Sequence, residues 1–248
     1  MTDIRRFACL EDMSKSAAEY FINAIRNSAG RKSGLCSIAL PGGNSSKRLY
    51  ELLGSPDFSS RVDWETLRIF FSDERCVVPE SGESNYALIK THLLSRVPVP
   101  EGHIFRIPAE GPDPDESARQ YERRIREEFI KMGPGHMSLA MPMFDIIILG
   151  VGADGHTASL FPGSPALDEK FRWVLYSRGG PELRTRDRIT LTLPVINASG
   201  RIVFIVSGKE KGPALEKIFS HDGPDPALPA SMVHGNEETV WFIDESSI

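Results

Sequence analysis

Gly150-Val151-Gly152-Ala153-Asp154-Gly155-His156 follows the apolar run Phe144-Asp145-Ile146-Ile147-Ile148-Leu149, and it can be read in two ways. Its glycines spell G-x-G-x-x-G behind a strand-like segment, which is how a dinucleotide-binding turn is built. The residue after them is a histidine, a side chain that moves protons near neutrality. A dinucleotide turn needs a long helix after its third glycine and an acidic residue about 20 positions on, closing the next strand. Pro162 stops any helix about two turns after it could begin, and Asp168 and Glu169 precede the next strand-like run instead of closing it. Asp154 would also set a carboxylate where a pyrophosphate must approach. The glycines therefore read as a tight turn exposing Asp154 and His156, without a nicotinamide cofactor. From the loop alone, a helix-capping histidine among structural glycines is the open alternative.

Such a turn works only if regular elements hold it. After a short β-like start, residues 11–29 place Met13, Ala17, Ala18, Phe21, Ile22 and Ile25 at helical spacing. Residues 34–40 read as a buried strand that breaks at Pro41-Gly42-Gly43. A helical pattern resumes through Leu49, Leu52 and Leu53 with Asn44 or Ser45 as N-cap. The same grammar recurs in residues 67–75, a strand running into the charged turn Ser72-Asp73-Glu74-Arg75, and in residues 84–97, a helix opened by Ser84. Residues 172–177, 188–193 and 201–208 read as further strands, the last followed by a helix over 209–219. Strands alternating with helices predict an α/β fold: a doubly wound, mainly parallel sheet with helices on both faces, a Rossmann-like three-layer arrangement in a single domain over 1–248. Ligands collect at the carboxyl ends of such strands, so the turns after Leu40, Phe71, Leu149 and Val206 are the places to look. Gly/Pro-rich surface loops at 106–117 and 131–142 flank a helix whose charges alternate in sign, a solvated face rather than a nucleic-acid stripe.

The 248 residues, 40% hydrophobic, suffice for a full core, and a formal charge of −5 argues against a general nucleic-acid or anionic-membrane surface. Any anionic ligand must then be met locally. Cys9, Cys36 and Cys76 are odd in number and widely spaced, which suits reduced thiols in a cytosol better than a disulfide framework or a zinc site. The first residues hold no apolar signal-peptide core, and no run approaches the ~18 apolar residues of a spanning helix. A soluble cytosolic protein is expected.

Several segments, in order, resemble the 6-phosphogluconolactonase family. They are Leu40-Pro41-Gly42-Gly43-Asn44-Ser45-Ser46 with the helix after it, Ser72-Asp73-Glu74-Arg75 followed by Ser84-Asn85-Tyr86, and the histidine loop from Leu149 to Gly163. Residues 188–199, Ser207-Gly208-Lys209-Glu210-Lys211, residues 228–233 and the closing 241–245 extend the likeness over nearly the whole chain. One departure lies in the first turn, where the family commonly has Gly-Gly-Ser-Thr-Pro and this chain has Gly42-Gly43-Asn44-Ser45-Ser46.

The resemblance implies hydrolysis of 6-phospho-D-glucono-1,5-lactone with His156 as the base that activates water, and neither a cofactor nor a metal. A lactone is already an activated ester, so the reaction asks for a base, an oxyanion stabiliser and a proton for the ring oxygen. Asp154 can orient the imidazole, and Asp73 either works near the reacting carbon or holds Arg75. For the phosphate, Gly42 and Gly43 allow close backbone approach at a helix start. Asn44, Ser45 and Ser46 can donate or cap there. Arg75 and Lys209 are implied as phosphate or substrate contacts from two further turns, and Arg188 is a candidate of weaker standing. Asn85 starts or supports a helix near substrate. His92, His103, His136, His221 and His234 lie outside any strand-end glycine loop. A monomer acting on a small sugar phosphate, with no nucleic acid or membrane partner, is expected. The rival readings are a glucosamine-6-phosphate deaminase or isomerase and a non-catalytic sugar-phosphate sensor. Deaminases resembling this loop continue Ile-Ala-Phe-Asn-Glu after the histidine, with a carboxylate five residues on, and here that position is Phe161.

Overall fold

The computed structural model describes residues 2–30, 34–138, 141–221 and 223–247. In chain order the elements are β1 Thr2–Phe7, α1 Leu10–Ala29, β2 Cys36–Leu40, α2 Asn44–Leu53, α3 Pro56–Ser59, β3 Leu67–Phe71, β4 Asp73–Arg75, α4 Asn85–His92, β5 Ile104–Phe105 and α5 Pro114–Met132. They continue with β6 Met137–Ser138, β7 Met141–Pro142, β8 Ile146–Leu149, β9 Val174–Arg178, β10 Asp187–Leu191, α6 Leu193–Ala198, β11 Arg201–Val206, α7 Gly212–Ser220 and β12 Glu238–Asp244. Leu139 and Ala140, part of the loop expected over 131–142, lie outside the described residues.

Seven strands form one doubly wound sheet in the order β1-β12-β11-β8-β2-β3-β5, and every pairing in it is parallel. Cys36–Leu40 and Ile146–Leu149 are buried at every residue, as unbroken apolar runs must be when both faces of a sheet are covered. From β2 the chain steps outward through β3 to β5, and from the adjacent β8 it steps the other way through β11 to β12. The strand order thus reverses between β2 and β8, and a crevice opens where the loops leaving their carboxyl ends diverge.

Residues 172–177 and 188–193 do form strands, but in a separate sheet. β4, β10 and β9 pair antiparallel beside the carboxyl end of β3. The connection over residues 179–186 is too short for a parallel crossover, which takes a dozen residues or more, so a hairpin is its solution. Leu191 N–H donates to Ser72 O at 2.9 Å, tying this small sheet to the chain between β3 and β4. Glu122 of α5 accepts from the N–H groups of Trp173 and Val174 at 2.8 and 3.2 Å and fixes its other side. Tyr121 of α5, fully buried, donates to Phe71 O and accepts from Phe71 N–H, satisfying the last residue of β3 just before the site begins.

The expected N-cap of α2 is also corrected. The cap is Gly43, at φ 92° and without a side-chain cap bond, and Asn44 is already the first helical residue. Ser84 caps α4 as expected, its Oγ accepting from Ala87 N–H at 3.1 Å. Among the described residues no helix is long and apolar enough to cross a membrane.

Candidate active site

All four strand ends picked out by the sequence open on one cleft. Gly42, Gly43, Asn44 and Ser45 enter from the turn after β2, Asp73 and Arg75 from β4, His156 and Ser159 from the loop after β8, and Lys211 from the turn after β11. Asn85, at the start of α4, completes the floor.

His156 stands at the mouth with its side chain 29% exposed. Its Nδ1 lies 2.5 Å from Asp154 Oδ1, the same oxygen that accepts the His156 backbone N–H at 3.1 Å. A carboxylate so placed accepts a hydrogen bond from Nδ1–H and leaves the lone pair on Nε2, an arrangement in which the imidazole can serve as a base. Burial pushes the Asp154 carboxyl up, but the hydrogen bond and charge of His156 outweigh it and hold it below its usual value. The motif's second glycine is there for this ring: a Cβ on Gly152 would fall 2.2 Å from the imidazole. No helix follows the third glycine. Gly155 N–H closes on Gly152 O at 3.0 Å, and the chain turns back on itself, which removes the dinucleotide reading.

The turn beyond the histidine is held in an unusual conformation. Leu160 N–H donates to Thr157 O at 2.8 Å, and the two central residues, Ala158 (φ 45°) and Ser159 (φ 54°), are both left-handed without being glycine. Each such residue costs about 1–2 kcal/mol and persists only where its surroundings enforce it. The small antiparallel sheet supplies that enforcement, one bond from each strand. Ser159 Oγ donates to Asp73 Oδ2 of β4 at 2.5 Å, Ser177 Oγ of β9 donates to Ser159 O at 2.8 Å, and Thr190 Oγ1 of β10 donates to Ala158 O.

The cations answer the requirement for local positive charge. Lys211 Nζ donates to Ser45 Oγ at 2.7 Å, and Ser45 Oγ in turn exchanges bonds with the backbone of Ser207 at 3.0 and 3.2 Å. Burial pushes the Lys211 ammonium down from its usual value, and among the described residues it has no ion-pair partner. Arg75 is anchored through Nη1 to Glu83 O at 2.6 Å and lines the cleft. Arg188 sits directly opposite Arg75 in the β10–β4 register, and burial together with the Arg75 charge pushes its guanidinium down. Like charges directly opposed across a ladder are unfavourable.

Three sequence candidates lie elsewhere than expected. Lys209 is exposed and does not line the cleft; Lys211, two residues on across a 3₁₀ turn, does. Ser46, in the first turn of α2, is buried, and Arg188, paired with Arg75, is buried too, so neither lines the cleft. Phe161, five residues after the histidine, does not line the cleft, and its ring centroid lies 4.8 Å from that of the imidazole. Glu74, which sequence reasoning passed over, is buried and accepts from the N–H groups of Arg75, Asn85 and Tyr86 and from Ser84 Oγ, at 2.7 to 3.0 Å. Burial pushes its carboxyl up against these donors. Its place between two residues bound for the cleft was the available signal.

The family described as glucosamine-6-phosphate isomerases/6-phosphogluconolactonase matches residues 9–241. The chain belongs to this family. Within it, the chain is 37% identical to a probable 6-phosphogluconolactonase 2 of Oryza sativa subsp. indica over 99% of its own length and 88% of the relative's. It is 36% identical to a 6-phosphogluconolactonase of Synechocystis over 85% and 82%. The crystal structure of 6-phosphogluconolactonase from Thermotoga maritima superposes with a TM-score of 0.80 at 28% identity, covering 98% of this chain and 99% of that one. Family membership spans both lactonases and isomerases, so the residues beside His156 carry the choice between them.

Proposed function

We infer that this chain is a 6-phosphogluconolactonase, hydrolysing 6-phospho-D-glucono-1,5-lactone to 6-phospho-D-gluconate in the pentose phosphate pathway. One observation carries the choice over a deaminase: the ring of Phe161, not a carboxylate, lies 4.8 Å from His156. Phenylalanine cannot move a proton, so the loop holds one acid–base side chain backed by Asp154. That suffices for an ester, whereas ring opening and amine loss call for a second proton carrier.

In the reaction we propose, the phosphate rests on the N–H groups of Gly42 and Gly43 at the start of α2, with Lys211 and Arg75 as its cations. Ser45 orients Lys211 rather than binding phosphate itself, because its hydroxyl is already engaged. This leaves C1 at His156. Nε2 takes a proton from water, the hydroxide adds to C1, and the same imidazolium returns the proton to the ring oxygen as the C1–O5 bond breaks. Asp154 keeps Nδ1 protonated throughout and balances the transient charge. Every group named comes from one chain, so a monomer suffices. The three widely spaced cysteines, Cys9, Cys36 and Cys76, suit a reducing compartment, and the cytosol is the one we propose.

Assay of freshly generated 6-phosphogluconolactone, corrected for spontaneous hydrolysis, tests the reading alongside ammonia release from glucosamine 6-phosphate. Hydrolysis without ammonia is expected. Enzyme-dependent ammonia release would move the chain to the other branch of its family.

A further inference from the structure

Asn85 is 1% exposed, lines the cleft, and has one half of its amide committed and the other not. Its Nδ2 donates to Asp73 O at 2.9 Å and leans toward Asp73 Oδ1 at 3.4 Å. Turning the amide over would set its oxygen against both of those oxygens, so the orientation is fixed. Its Oδ1, in contrast, is buried and accepts no hydrogen bond. That oxygen faces the glycine turn, since a Cβ on Gly42 would fall 1.8 Å from it. Gly42 is thus glycine to admit the Asn85 amide, and the turn that receives the phosphate and the residue carrying this acceptor are built around each other. Two bonds to Glu74, from the N–H groups of Asn85 and Tyr86, hold the start of α4 so that the amide cannot drift.

A buried acceptor left unpaired costs free energy, and one on a side chain that lines a cleft is a group awaiting a donor. We propose that Asn85 Oδ1 accepts a hydrogen bond from one hydroxyl of the lactone ring and so makes Asn85 a specificity-determining residue for the sugar. The assignment rests on the lactonase reading. With the phosphate at the helix start and C1 at His156, the ring hydroxyls on C2, C3 and C4 lie between those two anchors. An amide oxygen is the right partner there: a carboxylate would add negative charge beside Asp73 and the phosphate, and a hydroxyl could choose between donating and accepting.

The test compares kcat/KM on 6-phosphogluconolactone with that on its 2-deoxy, 3-deoxy and 4-deoxy analogues, for the wild-type protein and for Asn85→Ala. In the wild type, one analogue should lose about 10- to 100-fold, because its missing hydroxyl leaves Oδ1 unpaired. In Asn85→Ala the parent lactone should fall by a similar factor while that one analogue changes by less than about threefold, a pattern that a merely structural residue would not produce. Uniform loss on all four substrates, or a wild type indifferent to all three deletions, would overturn the assignment. If the variant does not fold, the wild-type series decides alone. Failure of the wild type to hydrolyse the parent lactone would instead strike the lactonase reading, so the two failures are distinguishable.

Discussion

Two lysines set two positions apart illustrate what a side chain needs in order to act. Lys209 and Lys211 occupy the same turn, yet only Lys211 is drawn inward, toward Ser45 and the cleft. Lys211→Ala should therefore weaken kcat/KM for the phosphorylated lactone by about 10- to 100-fold, the range of a lost charge-assisted contact, and leave unphosphorylated gluconolactone within about twofold. Lys209→Ala should leave both substrates near wild type. Steady-state kinetics on the pair of substrates checks this, and a larger effect at Lys209 would reverse the assignment. Asp154→Asn keeps the size of the side chain but removes the charge that fixes the imidazole tautomer. Turnover should drop about 10² or more with KM little changed. His156 and Asp154 were legible in the sequence because a tight glycine turn is a local feature. The choice between two nearby lysines was not, because only the path of the 3₁₀ turn decides which one faces inward.

At the scale of elements, the strand ends after Leu40, Phe71, Leu149 and Val206 could be read directly, since an apolar run broken by glycine or charge marks them without tertiary information. The partners of residues 172–177 and 188–193 could not be read. Their apolar content says strand but not which sheet, and pairing with Asp73–Arg75 rests on contacts far apart in sequence. That small sheet grips the left-handed turn at Ala158 and Ser159. Thr190→Val, which removes the hydroxyl bonded to Ala158 O, should lower stability by about 1–2 kcal/mol and turnover severalfold while sparing KM. Denaturant unfolding and kinetics on the same preparation test it, and an unchanged turnover would show that the grip does not reach His156. Glu169, before β9, gives a pH signature. Burial pushes its carboxyl up, but the N–H groups of Lys170, Phe171 and Arg172 and the Arg172 guanidinium outweigh this and bring it from 4.5 down to about 2. A carboxylate held low in the fold stabilises it above its unfolded pKa and loses that contribution as pH falls through the folded one. Wild type should exceed Glu169→Gln by about 1–2 kcal/mol at pH 6, with the gap shrinking steadily below pH ~4.5, as unfolding midpoints at several pH values would show.

Over the whole molecule, a chain of net charge −5 gathers Arg75 and Lys211 at a cleft at one end of a parallel sheet, which is where the proposed reaction needs its cations. The reversal of strand order between β2 and β8 creates the crevice, the start of α2 faces it, and the small sheet braces the turn that follows His156. The most direct measurement for this account is the rate at which equal amounts of wild type and His156→Asn hydrolyse freshly generated 6-phosphogluconolactone, with spontaneous hydrolysis subtracted and folding of both proteins verified. A loss of about 10² to 10⁴ in kcat at little-changed KM is the predicted result, the usual share of a positioned general base. Near wild-type turnover in a folded His156→Asn protein would contradict the account at its centre.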